Sequence, residues 1–285
     1  MTAANKQQID DWNGAVGERW LTYNDWLDRR TEAYGRAALA AAAAQPGETV
    51  LDIGCGAGAT AFELARAVGA GGSVVGVDVS EPLLGRARER AAALGLAVEF
   101  RLADASRPLF EPARFDLLFS RFGVMFFDDP VAAFAELRKT LKPGGRLAFA
   151  CWQAPERNDW YRWPLRAIAA EIDLPSVDPR APGPFALAEP ERIEQVLGAA
   201  GFGAIELSAF QAPFYLGEGE DPDAAAADAY DQVLRVGPVA RLLAAQDEAV
   251  RARAEARLRG ALRELARERG IAMMGATWTV TARAV

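Results

Sequence analysis

Between residues 49 and 151, short runs of apolar residues alternate with longer stretches in which apolar positions recur every three or four residues. The runs fall at 49–53, 73–79, 97–102, 115–120 and 146–151. Between them, 59–68, 82–94 and 130–141 carry helical periodicity. Pro82 and Pro130 stand near two of the helix starts, where proline's missing N–H costs little. Continuous Val, Leu, Ile and Phe, rather than apolar–polar alternation, marks strands covered on both faces. The pattern therefore predicts a doubly wound α/β fold, with a parallel, Rossmann-like sheet between two layers of helices.

Two regions break this rhythm. Residues 1–46 read as helical and aromatic, with Trp20, Tyr23, Trp26 and Leu27 at helical spacing. Residues 152–188 are rich in Pro and Trp, with Trp152, Trp160, Tyr161 and Trp163 closely grouped. Further on, 189–200 reads as a helix, 204–210 as a strand and 221–269 as a long Arg/Glu-rich helical stretch. The closing 276–284 alternates in strand fashion. The expected organisation is a helical lid over 1–46, a core over 47–152, an aromatic insert over 153–188 and the rest of the core over 189–285, with a helical cap at about 213–272.

Composition removes several chemistries. The 285 residues include no histidine, so no histidine base, Ser-His-Asp site or imidazole metal site can form. The two cysteines, Cys55 and Cys151, are too few for a structural zinc site or a disulfide framework, and no metal is expected. With 32 Lys+Arg against 39 Asp+Glu, the net charge of -7 disfavours generic attraction to nucleic acid or anionic lipid. Asp10 and Asp11 stand where a signal peptide needs an apolar stretch, and the longest apolar run, 37–44, is too short to cross a bilayer. The expectation is a cytoplasmic protein, monomeric or homodimeric, acting on a small molecule without nucleic-acid or membrane partners.

The segment with the clearest chemistry is Asp52-Ile53-Gly54-Cys55-Gly56-Ala57-Gly58, where the first strand runs into a glycine turn and then a helix. Glycines allow a sharp bend and close approach to a ligand beneath the positive end of the helix. Gly54, Gly56 and Ala59 also satisfy a relaxed dinucleotide spacing, so the turn alone leaves a nicotinamide-dependent oxidoreductase open. Three acids point elsewhere. Asp52 flanks the loop where a pyrophosphate would be repelled, although it could equally hold the loop through backbone N–H groups. Asp78 ends the second strand, positioned to accept ribose hydroxyls, and Asp104 ends the third, positioned to accept from an adenine amino group. Acids at all three positions suit a cationic adenosine ligand without phosphates, which describes S-adenosylmethionine.

At this point the sequence resembles the class I S-adenosylmethionine-dependent methyltransferases, and within them the small-molecule group of quinone-biosynthesis and natural-product enzymes. The resemblance covers about 47–152. It rests on the Gly54 motif, Asp78, Leu102-Ala103-Asp104-Ala105, the 115–122 strand and turn, and Leu141-Lys142-Pro143-Gly144-Gly145-Arg146. It implies strand order 3-2-1-4-5-7-6, with the last strand antiparallel. By the same likeness, the cofactor, released as S-adenosylhomocysteine, would lie along Gly54, Cys55, Gly56 and Gly58. Gly54 and Ser120 would stand near its methionine moiety, Asp78 and Val79 near the ribose, and Asp104 and Ala105 near the adenine. The long stretch at 211–275 departs from the minimal pattern.

Methyl transfer from a sulfonium is an in-line displacement with a neutral leaving group, so alignment is the enzyme's main task. Without histidine, any base must be Asp, Glu, Tyr, Cys or water, which favours acceptors needing little deprotonation: an activated aromatic carbon, an amine, an acidic phenol or an isoprenoid alkene. No catalytic residue stands out. Trp20 and Tyr23, with Trp26, are candidates for an aromatic lid over the sulfonium. Arg121 is a candidate for a substrate or methionine carboxylate. Met125 and Trp152 are candidates for the acceptor pocket. A non-catalytic S-adenosylmethionine-binding module is the remaining alternative.

Overall fold

A computed structural model of the protein describes residues 9, 10, 12–14, 17, 21–176, 178–235, 237–268 and 270–285. Two compact units result. The first comprises the chain to Gln153 together with Pro179–Phe210 and Thr277–Val285; the second comprises Ala154–Asp178 and Gln211–Ala276.

The first unit is built on β1 (Thr49–Ile53), β2 (Ser73–Asp78), β3 (Glu99–Leu102), β4 (Phe115–Arg121), β5 (Leu141–Trp152), and the parts of β6 (Phe202–Gly217) and β7 (Ile271–Ala284) outside 211–217 and 271–276, which fall in the second unit. Their order is β3-β2-β1-β4-β5-β7-β6, as the resemblance implied. β1 pairs in parallel with β2 and β4, β2 with β3, and β4 with β5, whereas β5 and β7 are antiparallel. Its helices are α1 (Asn24–Ala42), α2 (Ala59–Val68), α3 (Glu81–Leu94), α4 (Pro130–Lys139) and α6 (Pro190–Ala199), and the second unit holds α5 (Asp159–Ile168).

One face of the sheet presents Val50, Val74, Leu117, Phe119, Ala148 and Ala150 to Ala38 and Ala42 of α1 and to Ala61, Leu64 and Val68 of α2. On the opposite face Phe134 of α4 packs against Phe149 and Phe202. The C-terminal end of α1 is closed by Arg146, which donates to the carbonyls of Ala42 and Ala43 and pairs with both carboxylate oxygens of Glu48 at 2.7 and 2.8 Å. Lys142 pairs with Asp116 at 2.7 Å. The Lys-Pro-Gly-Gly-Arg segment thus serves the sheet, forming the irregularity between Phe115↔Leu141 and Leu117↔Arg146.

The sequence reading makes two strands too short. β6 continues past Phe210 to Gly217 because Ala212, Phe214 and Leu216 keep alternating inward across Pro213, and β7 begins at Ile271 rather than at 276. The 221–269 stretch divides into α7 (Pro222–Arg235), α8 (Val239–Ala244) and α9 (Glu248–Leu265). Gly237-Pro238 makes the first break, and Asp247 makes the second by accepting from Val250 N at 2.9 Å as an N-cap. In the second unit Asn158 is fully buried, accepting from Ala276 N at 2.9 Å and donating to Ala276 O at 3.2 Å.

Candidate functional site

The first unit contains a cavity at the carboxyl ends of β1, β2 and β4, where ligands lie in open parallel sheets. Its floor is the glycine turn. Gly54, Gly56 and Gly58 have φ of +67°, +53° and +86°, a region that side chains rarely enter. A Cβ on Gly54 would stand 2.8 Å from Gly123 Cα, and one on Gly123 would stand 2.7 Å from Ile53 O. The β1 turn and the turn after β4 therefore meet backbone to backbone. Gly56 differs, because its missing Cβ would meet nothing within 4 Å and the residue lines the cavity. Space at that point is available to a ligand.

Asp78 secures this floor. Its Oδ2 accepts from Gly56 N at 2.8 Å and its Oδ1 from Ser80 N at 2.9 Å. Burial pushes its carboxyl above the usual range, against the lowering effect of those two N–H groups. A carboxylate offers about four acceptor sites, so both oxygens keep capacity toward the cavity. Asp104 is arranged similarly, with Oδ1 accepting from Ser106 N at 2.9 Å and Ser106 Oγ at 2.6 Å, and Arg107 lying 3.7 Å from Oδ2.

Of the residues expected to bind cofactor, Gly54, Cys55, Gly56, Asp78, Val79, Asp104 and Ala105 line this cavity. Asp52, Gly58 and Ser120 stand behind it. Ser120 is fully buried, donating to Ile53 O at 2.8 Å and accepting from Gly123 N at 3.2 Å, so it joins the two turns. A Cβ on Gly58 would strike the Phe62 ring at 2.6 Å. Cys55 faces Gly76, where a Cβ would meet its Sγ at 2.8 Å, and burial pushes its thiol well above the usual range. Asp52 is fully buried, with Thr60 Oγ1 donating to its Oδ2 at 2.7 Å and, among the described residues, no partner on Oδ1.

Of the candidate acceptor residues among those described, Arg121 alone lines the cavity. Met125 is buried and gives its carbonyl to Gly183 N at 3.1 Å. Trp152 is buried, stacking on Phe122 with centroids 4.5 Å apart and planes 10° apart, and meeting Tyr34 edge-on at 5.0 Å. Tyr23 sits at the start of α1 outside the lining, and Trp20 lies outside the described residues. Trp26 packs within the unit, with the Arg30 guanidinium 5.0 Å from its ring.

The second wall is one that sequence reasoning did not assemble. Asn24, Leu27, Asp28 and Thr31 present one face of α1 to the cavity at spacings of three and four. Asp28 accepts from Arg121 Nη2 at 2.7 Å through Oδ1, and from Arg90 Nη1 at 3.0 Å and Asn24 Nδ2 at 3.2 Å through Oδ2. Arg90 also donates to Ala57 O in the glycine loop at 3.0 Å. Trp12 and Ile9 contribute from the N-terminal segment, where Asn13 donates to Val79 O at 2.7 Å and accepts from Glu81 N at 3.2 Å. Phe122 lines the cavity at φ +68°, a strained conformation for an aromatic residue, held by the Trp152 stack and by Phe122 N donating to Ala150 O at 3.0 Å. No sequence signal singled out Asp28, since the helix face it shares already mixes polar Asn24 and Thr31 with Leu27.

Comparison with known proteins agrees with this geometry. Residues 50–145 match the family described as a methyltransferase domain. The match covers the glycine loop, Asp78 and Asp104, and the sheet order is the one that the resemblance to the class I S-adenosylmethionine-dependent methyltransferases implied. Among curated relatives it is 38% identical to nocamycin O-methyltransferase of Saccharothrix syringae over 162 residues, 56% of this chain and 55% of that protein. It is 37% identical to 2-phytyl-1,4-naphtoquinone methyltransferase of Synechococcus elongatus over 146 residues, 48% of this chain and 63% of that protein. The match thus spans between half and two thirds of these relatives. Among solved structures it resembles phosphoethanolamine N-methyltransferase 2 of Haemonchus contortus in complex with phosphomonomethylethanolamine and S-adenosylhomocysteine. That likeness has a TM-score of 0.52 and 21% identity, and covers 88% of this chain and 52% of the other; it concerns the fold.

Proposed function

We propose that the chain binds S-adenosylmethionine in this cavity and transfers its methyl group to a small aromatic or isoprenoid-like acceptor. The charge of the lining carries the reading. Among the described residues the cavity presents Asp28, Asp78, Asp104 and Asp128 against a single lining cation, Arg121. A dinucleotide would bring its pyrophosphate to an acidic wall, whereas a cationic adenosine ligand is attracted there. The residues fit that ligand: Gly56 leaves room over the loop, and Asp78 and Asp104 keep acceptor capacity for ribose and adenine groups. In this reading Gly54 and Gly56 form the floor under the ligand, while Ser120 and Gly58 position the turns.

The cofactor supplies a methyl group already activated on a sulfonium. The protein's part is to fix the geometry and keep water out. Alignment of this kind can contribute about 7–11 kcal/mol to rate. Any proton the acceptor loses goes to Asp, Glu, Tyr, Cys or water, since the sequence holds no histidine. The names of the two curated relatives, one an O-methyltransferase and one acting on a naphtoquinone, support a small organic acceptor.

We assign the protein to the cytoplasm as a monomer or homodimer without nucleic-acid partners. The supports are the net charge of -7 and the finding that no described helix is long and apolar enough to cross a membrane. The test of the cofactor reading is calorimetric titration. S-adenosylmethionine and S-adenosylhomocysteine should each bind with one-to-one stoichiometry, and NADH should not. Binding of NADH alone would replace this reading with an oxidoreductase.

A further inference from the structure

Of the three acids Asp52, Asp78 and Asp104, Asp52 is the one that does not line the cavity, and its surroundings do not balance its charge. It lies at the carboxyl end of β1 with no solvent exposure. Among the described residues its hydrogen bond comes from Thr60 Oγ1 of α2, and Oδ1 has no partner there. The charges facing it are Arg121 from β4, which attracts it, and Asp78 from β2, which repels it. Arg121 is already committed to Asp28 of α1 at 2.7 Å. The nearby Cys55 thiol is held neutral by burial and by the same two acids. As a carboxylate, Asp52 therefore has one hydroxyl and a shared guanidinium, which is little compensation for a buried charge.

The cavity lies one residue away, since Ile53 and Thr60 both line it. A ligand there supplies or withholds the missing positive charge. We propose that Asp52 makes the cavity charge-selective: it is a carboxylate when the sulfonium cofactor is bound, and it carries a proton when the cavity is empty or holds the neutral thioether product. The inference rests on the cofactor reading above. Asp52 acts through Thr60 and through its field, as a positioning residue, and touches no reacting atom. The proton balance is simple: one proton leaves Oδ1 for solvent as the sulfonium binds, and one returns after the methyl group has been transferred.

Burial pushes the Asp52 carboxyl up to about 7, against the lowering by Thr60 and Arg121, so the exchange falls in an accessible pH range. Mass action then sets the result. Affinity for S-adenosylmethionine relative to S-adenosylhomocysteine should rise about tenfold between pH 6 and pH 8. Both ligands carry an α-amino group titrating near 7.7–8.0, so the wild-type protein is compared with Asp52→Asn, in which that ligand titration persists alone. The variant should lose the protein's share of the pH dependence and hold the ratio below the wild-type value at pH 6. Thr60→Val removes the hydroxyl donor and should move the wild-type rise to higher pH, which gives a reading even if Asp52→Asn fails to fold. A ratio independent of pH in the wild-type protein, or one that rises equally in Asp52→Asn, overturns the inference while leaving cofactor binding in place. Failure of both ligands to bind overturns it together with the cofactor reading.

Discussion

The two walls of the cavity are built by different means. The wall formed by the glycine loop and the ends of β2 and β3 is assembled from groups close in sequence to the strands that carry them: Gly56 on Asp78, and Ser106 on Asp104. The wall formed by α1 and the turn after β4 is assembled across the chain, with Asp28 joining Arg90 and Arg121, 62 and 93 residues away. Motif spacing specifies the first kind of wall before folding is considered. The second exists only once α1 has packed on the sheet. Substitutions in the two walls should therefore fail differently.

The largest effect is expected at the floor they share. Gly54→Ala must place a side chain at φ +67° and 2.8 Å from Gly123 Cα, and should cost on the order of 3 kcal/mol in urea unfolding. Gly56→Ala, in the same loop but facing open space, should cost only about 1 kcal/mol while weakening ligand binding by more than that. Equal stability losses for the two would contradict the division between a packing glycine and a ligand-facing one.

Asp78→Ala tests the local wall. Loss of a charged hydrogen-bond acceptor should weaken S-adenosylhomocysteine binding by about 1.5–3 kcal/mol, with the fold retained. Unchanged affinity in a folded variant would remove Asp78 from the ribose site. Asp28→Ala tests the long-range wall, where the loss should appear first in stability, at about 1–2 kcal/mol, because two partly buried guanidinium groups lose their shared carboxylate. A double-mutant cycle with Arg121→Ala should show coupling above about 0.5 kcal/mol, and strict additivity would mean that the pair does not hold α1.

The smallest effect is a pH dependence. Hydrogen bonding to Arg146 holds the Glu48 carboxyl below its ordinary value of 4.5. A depressed folded value stabilises the protein above about pH 4.5, and that stability is lost as the pH falls through the lowered value. The contribution of this partly exposed pair should be under about 1 kcal/mol. Glu48→Gln should flatten the acid limb of the stability curve, and an unchanged limb would assign it to other carboxylates.

How much was legible in advance follows from the same contrast. The apolar runs specified β1, β2, β4 and β5 because strands buried on both faces leave an unbroken signature, whereas β3, an edge strand with Glu99 and Leu102 exposed, was marked only by a shorter, mixed run. Asp78 and Asp104 were legible because strand ends in this topology converge on one edge. Ser120 was placed at the cofactor by resemblance, yet the structure shows its hydroxyl spent between Ile53 O and Gly123 N. Trp152 read as a pocket residue by its aromatic character, and it instead supports the strained Phe122. Asp28, Trp12 and Phe122 escaped notice because their positions depend on tertiary packing and a left-handed turn. β6 and β7 were read short because Pro213 and the flanking Ala and Met residues interrupt the alternation without ending the strands.

The central claim is that this cavity presents an activated methyl group to a small acceptor. Its most direct test is incubation of the protein with methyl-labelled S-adenosylmethionine and fractions of host lysate, with the label followed by mass spectrometry. The account predicts label in a small organic molecule, lost in Asp78→Ala. Label in protein or RNA would contradict the acceptor assignment, and cofactor binding without transfer into any fraction would contradict methyl transfer itself.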